Sequence, residues 1–449
     1  MASNTDGVWP VVAIGELASE DEGAIAIGPF GSSMKADTYT ATGIPVVRGN
    51  NLTGRPGFFG DFVFIAETTA ARFARCLVQR DDLVFPHRGA IGEVGLVIDQ
   101  GFEQWMLSTS MMKLRPNPNR LDSKFAFYFF RSVLGRHQLL KNASQVGTPG
   151  IGRPLASLRA CELALPPLED QQAITNVLGA LDDKIEQNRR TARALERLAR
   201  AIFRAWFVEF EPVKAKAAGA TAFPSMPQPV FDALPTRFVD SDIGPVPEGW
   251  EVKALGDVCD FNARSVRKGD IEGEIEYINI SSVTRGQLDE IERMNFADAP
   301  SRARRLIQDG DTIWSCVRPN RMSFLYINDP PGNRIVSTGF AVLTPINVGP
   351  SYLYQMTTQP EFVDYLVANA TGSAYPAVRS DHFETAKFCC PSDVVLDAFE
   401  AKTHTMRRWI GEAERESRKL AEMRDYLLPQ LLSGQMRVGE AASITESDV

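Results

Sequence analysis

The stretch that decides the fold is Pro166–Phe210, PPLEDQQAITNVLGALDDKIEQNRRTARALERLARAIFRAWFVEF. Ile174, Leu178, Leu181, Ile185 and Asn188 recur at alternating steps of four and three, and Ala192, Leu195, Ala199, Ile202 and Trp206 continue the series. That spacing draws a heptad seam along one face of a helix. Asn188 is its polar member, placed where such a residue fixes register. From Glu169 to Glu209 there is no proline, and Gly179 is the one glycine. Pro166 and Pro167 mark the start and Pro212 the stop. At about 1.5 Å per residue the stretch predicts a rod on the order of 60 Å long.

A matching rod lies near the C-terminus. With 225 subtracted from their numbers, Phe399, Thr403, Met406, Ile410 and Ala413 fall on seam positions of the first rod, as do Ser417, Leu420, Leu427 and Leu431. Pro391 falls on Pro166, and Pro429 is expected to limit the second rod. Two rods of one period in one chain are expected to pack as an antiparallel coiled-coil pair, with the small Ala192, Ala199, Ala413 and Ser417 allowing close approach.

The repeat extends beyond the rods. Asp82-Leu-Val-Phe85 matches Asp311-Thr-Ile-Trp314 at an offset of 229, and Ser108–Pro116 matches Ser337–Pro345 at the same offset. Gly147–Pro166 matches Gly372–Pro391 at 225, and Trp9–Leu17 matches Trp250–Val258 at 241. The order is collinear, so the chain is a tandem duplication with loop insertions, too long in period for a solenoid. Each globular part reads as mixed α and β. Strands are expected at Ile44–Arg48, Asp82–Phe85 and Gly95–Ile98, and at Ile275–Asn279, Thr312–Trp314 and Phe324–Ile327. Lys124–Leu140 and Tyr352–Ala368 read as helical. Residues 211–248 hold seven prolines and read as a partly extended linker. The tail from Gly439 is small and polar and is expected to be disordered.

Composition is that of a soluble globular protein, 44% hydrophobic and 23% charged. The N-terminal MASNTDGVWP lacks a signal-peptide pattern, and no run of eighteen apolar residues marks a membrane helix. The six cysteines show no C-x-x-C spacing and the four histidines are scattered, which disfavours disulfide and zinc frameworks and fits a cytoplasmic protein. The net charge of −8 is uneven: residues 1–160 carry 16 basic against 14 acidic side chains, and 161–449 carry 32 against 42. Gly147-Thr-Pro-Gly-Ile-Gly lacks the lysine of a phosphate loop and reads as a turn. Asp81–Asp82 and Asp182–Asp183 are adjacent pairs, not an acid–base constellation.

What remains is a set of polar side chains in glycine-bearing loops. Lys35, Arg48, Asn50, Asn51 and Arg88 belong to the first copy; Asn279, Ser281, Arg318, Arg321 and Arg379 belong to the second. Arginine and asparagine pair bidentately with guanine and adenine edges, and neighbouring glycines let backbone approach phosphate. These ten are the candidate DNA contacts.

The duplicated pattern resembles the specificity (S) subunit of Type I restriction-modification systems. The resemblance rests jointly on Gly28-Pro-Phe-Gly-Ser32, Leu165-Pro-Pro-Leu-Glu-Asp-Gln-Gln-Ala-Ile174, Trp206-Phe-Val-Glu-Phe-Glu-Pro-Val213, Asp240-Ser-Asp-Ile-Gly-Pro-Val-Pro-Glu-Gly-Trp250 and Leu427-Leu-Pro-Gln-Leu-Leu-Ser-Gly434. The second copy departs with Pro391-Ser-Asp-Val-Val in place of Pro-Pro-Leu-Glu. The resemblance implies an α+β architecture. Two similar target-recognition domains (1–167 and 249–391) would be separated by a pair of long antiparallel coiled-coil spacer helices (168–210 and 392–437), in a pseudo-two-fold duplication. The linker is 211–248 and the polar tail 438–449. It further implies sequence-specific recognition of a bipartite double-stranded DNA target, with no catalysis and no cofactor of the chain's own. Two modification (methyltransferase) subunits would bring S-adenosylmethionine and methylate adenine, and restriction/translocase subunits would bring ATP and Mg. A specificity subunit of another methylation-based defence system, or a coiled-coil scaffold independent of DNA, are the competing readings.

Overall fold

The computed structural model describes residues 9–31, 34, 36–144, 147–267, 269–372 and 375–447. The chain divides into two compact units, the first from residues 1–187 and 417–449, the second from residues 188–416. Their internal topologies repeat. In the first, one sheet orders its strands Tyr39–Thr40, Val63–Ile65, Ile44–Val47, Trp105–Leu107, Leu77–Val78. In the second, the matching sheet runs Glu292–Asn295, Glu274–Ile278, Arg334–Ser337, Ala303–Leu306. Each has a single parallel pair at its centre, Val46 beside Met106 and Tyr277 beside Ile335, flanked by antiparallel strands.

A second sheet follows the same rule. Ile25–Ile27, Met111–Leu114, Leu83–Pro86 and Gly95–Leu96 in the first unit correspond to Cys259–Phe261, Phe340–Pro345, Thr312–Ser315 and Phe324–Tyr326 in the second. Leu83–Pro86 and Thr312–Ser315 are buried along their whole length. That explains why they read as continuous apolar runs and not as alternating ones. A two-stranded ribbon, Val11–Ala13 with Glu162–Ala164 or Glu251–Ala254 with Lys387–Cys390, completes each unit.

The helical stretches of the two units are each broken once, at corresponding places. Ser123–Arg131 gives way to Val133–Leu140 at Ser132, whose Oγ accepts from the Gly135 amide at 3.1 Å. An added Cβ at Gly135 would lie 2.0 Å from the Phe129 carbonyl, so only glycine fits that corner. Pro350–Thr357 gives way to Pro360–Asn369, with Pro360 in the first turn.

The long helices span Leu168–Phe203 and Asp393–Ser433. In the first unit Ile174, Leu178 and Leu181 share a core with Leu420, Leu427 and Leu431. In the second, Phe203 and Trp206 pack on Phe399. Contacts run low number to high number: Asp182 to Arg424 in the first unit, Asn188 to Glu416 and Glu196 to Arg407 in the second. Within each unit the two helices are therefore antiparallel. Each fully buried leucine of the seam contributes about 1.5–3 kcal/mol. Of the remaining seam positions, Ile185, Asn188, Ile202 and Ile410 are buried, and Leu195 and Met406 half-buried. Asn188 donates through Nδ2 to Glu416 Oε2 at 2.7 Å.

Three expectations are corrected. The segment 211–248 is not an extended linker: it forms helices Glu211–Ala217 and Gln228–Ala233 and a ribbon of Phe238–Val239 with Val246–Pro247. Two of its seven prolines, Pro212 and Pro229, occupy first turns of helices, and the apolar residues Val213, Val230, Phe231 and Leu234 enter the second unit's core. Pro429 does not end the second rod, which continues to Ser433. The tail is not disordered through its described length: Val438–Ser447 is helical, and Ala441 is buried in the first unit's core.

Candidate nucleic-acid interface

In the first unit the central parallel strand Ile44–Val47 ends in a single 3-10 turn, Gly49–Asn51. Asn51, wholly buried, closes that turn. Its Oδ1 accepts the Arg48 amide at 3.0 Å, and its Nδ2 donates to the Phe59 and Asp61 carbonyls at 2.9 and 3.2 Å. Its hydrogen-bonding capacity is spent on the fold, and it presents nothing to a base. Arg48 is half-buried and donates from Nη2 to the Asp61 carbonyl at 2.8 Å. Asn50 is exposed at the tip of the turn, and Arg88 is exposed on the adjoining loop. The two loops are neighbours, since a Cβ on Gly49 would lie 3.6 Å from the Ala90 Cβ. Arg88 pairs its backbone with Gly150 in an isolated bridge. The start of the Gly147–Gly152 stretch thus buttresses this loop as a turn and short strand. Lys35 lies outside the described residues.

The second unit repeats the turn. Strand Glu274–Ile278 ends in Ile280–Ser282, and Asn279 stands where Arg48 stands, as the capping residue. Asn279 Oδ1 accepts from the Ser281 amide at 2.7 Å and from the Ser281 hydroxyl, and its Nδ2 donates to Glu292. The neighbouring loop carries Arg318-Pro-Asn-Arg321, with Arg318 and Met322 both in the left-handed region. Here the two loops wall a cleft of about 660 Å³ that brings together Asn279, Ser281, Arg318 and Arg321. Arg379 does not line it; it caps the helix Ser380–Glu384 and pairs with Asp381 at 3.6 Å.

Three residues of this cleft escaped the sequence reading: Tyr375, Glu292 and Arg302. Tyr375 is 69% exposed, and the Arg318 guanidinium lies 4.6 Å from its ring centroid. The sequence carries no signal for it, since a single ring in a loop is ordinary until its exposure and its arginine neighbour are seen. A planar cation stacked on an exposed ring offers both a guanine-edge donor pair and a stacking face, and Glu292 offers a carboxylate acceptor of the kind that meets cytosine N4. The cleft of about 500 Å³ in the first unit is lined by Glu67, Glu103 and residues near Ile44 and Phe102, and includes none of the five predicted side chains.

Burial raises the thiol pKa of Cys76, Cys161, Cys259, Cys316, Cys389 and Cys390, Cys161 to about 11 and Cys389 to about 12. All six are held as protonated thiols. Among the described residues there is no group of three or more His, Cys, Asp or Glu side chains able to hold a metal ion. No described helix is long and apolar enough to cross a membrane.

The geometry is that of a duplicated two-loop reader with its polar set aimed outward from a sheet end. A family model described as "Type I restriction modification DNA specificity domain" matches residues 9–197. The specificity subunit of the Type I restriction enzyme HindI of Haemophilus influenzae is 24% identical over 409 residues, covering 81% of this chain and 88% of that protein. Along most of its length the chain is thus similar to Type I specificity subunits. The MjaIX specificity subunit of Methanocaldococcus jannaschii is 22% identical, covering 71% of this chain and 70% of that one. A solved Type I S subunit from M. genitalium shares the fold, with a TM-score of 0.54 at 15% identity over 96% of this chain and 98% of the other. The strand–turn–arginine-loop arrangement occurs once in each of the two units.

Proposed function

We propose that this specificity subunit reads a two-part DNA sequence, one part with each unit's paired loops, and directs the chemistry of other subunits. The observation that carries the reading is the recurrence, at the end of the same parallel strand in both units, of a capped 3-10 turn beside an arginine-bearing loop. Of the ten candidates, Asn50, Arg88 and Arg321 are exposed on these loops, and Arg318, stacked on Tyr375, lines the same cleft as Arg321. Asn51 and Asn279 hold the turns in shape, and Arg48, half-buried, bonds the Asp61 carbonyl.

The chain itself makes and breaks no bonds. Two modification subunits supply S-adenosylmethionine and transfer its methyl group to adenine. Restriction subunits supply ATP- and Mg-dependent translocation and cleavage, all in the cytoplasm. The recognition domains 1–167 and 249–391 meet the same groove face about one DNA turn apart, roughly 34–36 Å between half-site centres, and the rods set that spacing.

Methylome sequencing of cells expressing the chain with its modification subunit tests the reading. Arg88→Ala is expected to relax one half-site; Arg318→Ala and Arg321→Ala are expected to relax the other. Removing a side chain that truly reads a base costs about 1–3 kcal/mol. A variant that weakens binding on all sequences alike marks a phosphate contact instead, and lowers the salt slope by about one. Unchanged methylation at every site in all three variants removes the loops from the interface.

A further inference from the structure

Asp182 and Arg424 meet at 2.7 Å in the first unit, and Glu196 and Arg407 at 2.6 Å in the second. The side chains are 11% and 12% exposed in the first pair, and 24% and 6% in the second. In both pairs the acid belongs to the first long helix and the guanidinium to the second. The two helices are repeats offset by 225, so 407 is the counterpart of 182, 424 of 199 and 421 of 196. At these counterparts Asp182 becomes Arg407, Ala199 becomes Arg424 and Glu196 becomes Ala421.

The consequence appears when a rod is placed against a copy of itself in the same antiparallel register. First against first, Glu196 meets Asp182 of the copy, at the place where Arg407 stands natively, and symmetry repeats the encounter. Second against second, Arg424 meets Arg407 of the copy, again twice. At the middle of the seam Ile185 matches Ile410 and Leu195 matches Leu420, so these apolar residues do not distinguish the pairings from the native one. Shielded like charges do distinguish them: each buried charge left against its own sign is strongly unfavourable.

We propose that Asp182, Glu196, Arg407 and Arg424 form a pairing code. It makes the first rod accept the second and reject a second copy of itself, so that a chain closes on itself instead of joining like with like to another chain. The partner rejected is a second copy of this same chain.

Two substitutions recreate the forbidden encounters inside the full chain. Arg407→Glu sets a carboxylate against Glu196, and Asp182→Arg sets a guanidinium against Arg424. The neutral controls are Arg407→Gln and Asp182→Asn. In urea unfolding, with hydrogen exchange locating the affected rod, each charge reversal is expected to raise the unfolding constant at least roughly tenfold above its neutral control. Adding Glu196→Gln to Arg407→Glu is expected to reverse most of that excess. Equal constants for reversal and control, with no recovery on removing the opposing charge, would show that these side chains only fill space and would overturn the proposal. The second measurement reads discrimination itself. Wild-type chain and the neutral quadruple variant (Asp182→Asn, Glu196→Gln, Arg407→Gln, Arg424→Gln) are refolded from urea at high concentration and weighed by sedimentation. The neutral variant is expected to give several-fold more dimer; an equal dimer fraction in both contradicts the code.

Discussion

The two units fasten their first broken helix to the rods at the same place, with opposite signs. In the first, Asp182 on the rod is the hub: it accepts from the Tyr128 hydroxyl at 2.8 Å, from Arg131 at 3.2 Å and from Arg424 at 2.7 Å. In the second, the counterpart position is Arg407. Its guanidinium lies 4.4 and 4.6 Å from the ring centroids of Tyr354 and Tyr326, and Glu196 closes the shell. Aligned by their caps, Asp122 with Gly349 and Ser132 with Gln359, the two helices put Tyr354 one position before the counterpart of Tyr128, which is Gln355; one tyrosine serves through its hydroxyl and the other through its face. A duplicated backbone therefore conserves where a polar anchor must sit, because a buried charge there must be met from the helix and from the opposite rod. It does not conserve the sign.

A second contrast lies in the sheets. Asp82 and Asp311 are counterparts, both buried at a strand entry. Arg115 holds Asp82 with two hydrogen bonds of 2.8 and 3.0 Å. Thr344 stands in the place of Arg115 and gives Asp311 one, at 2.7 Å, with Arg264 at 3.6 Å. Burial accordingly pushes the Asp311 carboxyl above its usual range, opposed by the Thr344 hydroxyl. Making the first unit imitate the second, Arg115→Thr, removes one partner of a buried ion pair. It is expected to cost about 3 kcal/mol in urea unfolding. A loss below about 1 kcal/mol would mean that the hydroxyl solution serves both units equally.

How much of this was legible in the sequence follows from which interactions are periodic. The rods were, because Ile174, Leu178 and their successors repeat at a helical period, and the duplication was, because strands such as Leu83–Pro86 and Thr312–Ser315 keep the same apolar run. The charges flanking the seam were not. Asp182, Glu196, Arg407 and Arg424 look like solvated surface residues until the opposing helix is in place. The folded segment 211–248 was masked by its prolines, which a composition reading assigns to extended chain although two of them, Pro212 and Pro229, begin helices. In the paired loops, residue types pointed to turns that the structure sets beside one another, but not to what the side chains do there. Asn51 spends the chemistry of a base reader on nearby backbone and Asn279 on Ser281 and Glu292, whereas Tyr375 is set apart by its exposure, which sequence does not display.

The anchor contrast sets up the next test, with a smaller effect. Tyr128→Phe deletes a hydroxyl that donates to a buried carboxylate and is expected to cost about 2 kcal/mol. Tyr354→Phe leaves the ring under Arg407 and is expected to cost less than about 1 kcal/mol. Both are read by urea unfolding with hydrogen exchange followed separately in helices 123–131 and 350–357. Equal losses would show that the two tyrosines act alike, and the sign reversal would then be a detail of the rods alone.

The smallest effect separates the units by pH. His87 and Cys316 are counterparts at the entrance to the arginine loops. His87 is 8% exposed, with Nε2 3.2 Å from the Thr109 carbonyl oxygen. Burial lowers its pKa, the Thr109 carbonyl opposes that by favouring the charged ring, and the Arg88 charge lowers it further. Since the folded pKa is depressed below the unfolded value near 6.5, the unfolded chain binds the proton first as the pH falls. The stability contributed by neutral His87 is therefore complete above about pH 6.5 and declines as the pH drops toward the folded value, with a slope of at most ~1.4 kcal/mol per pH unit. Cys316, kept as a thiol by burial, stays uncharged across that range. His87→Cys makes the first unit copy the second and is expected to flatten its stability between pH 7 and 5.5, leaving the second unit's profile where it was. Hydrogen exchange in strand Leu83–Pro86 against strand Thr312–Ser315 reads the two separately. If the slope of the first strand survives the substitution, the acid sensitivity comes from another group, and the two loop entrances do not differ in the way their side chains imply.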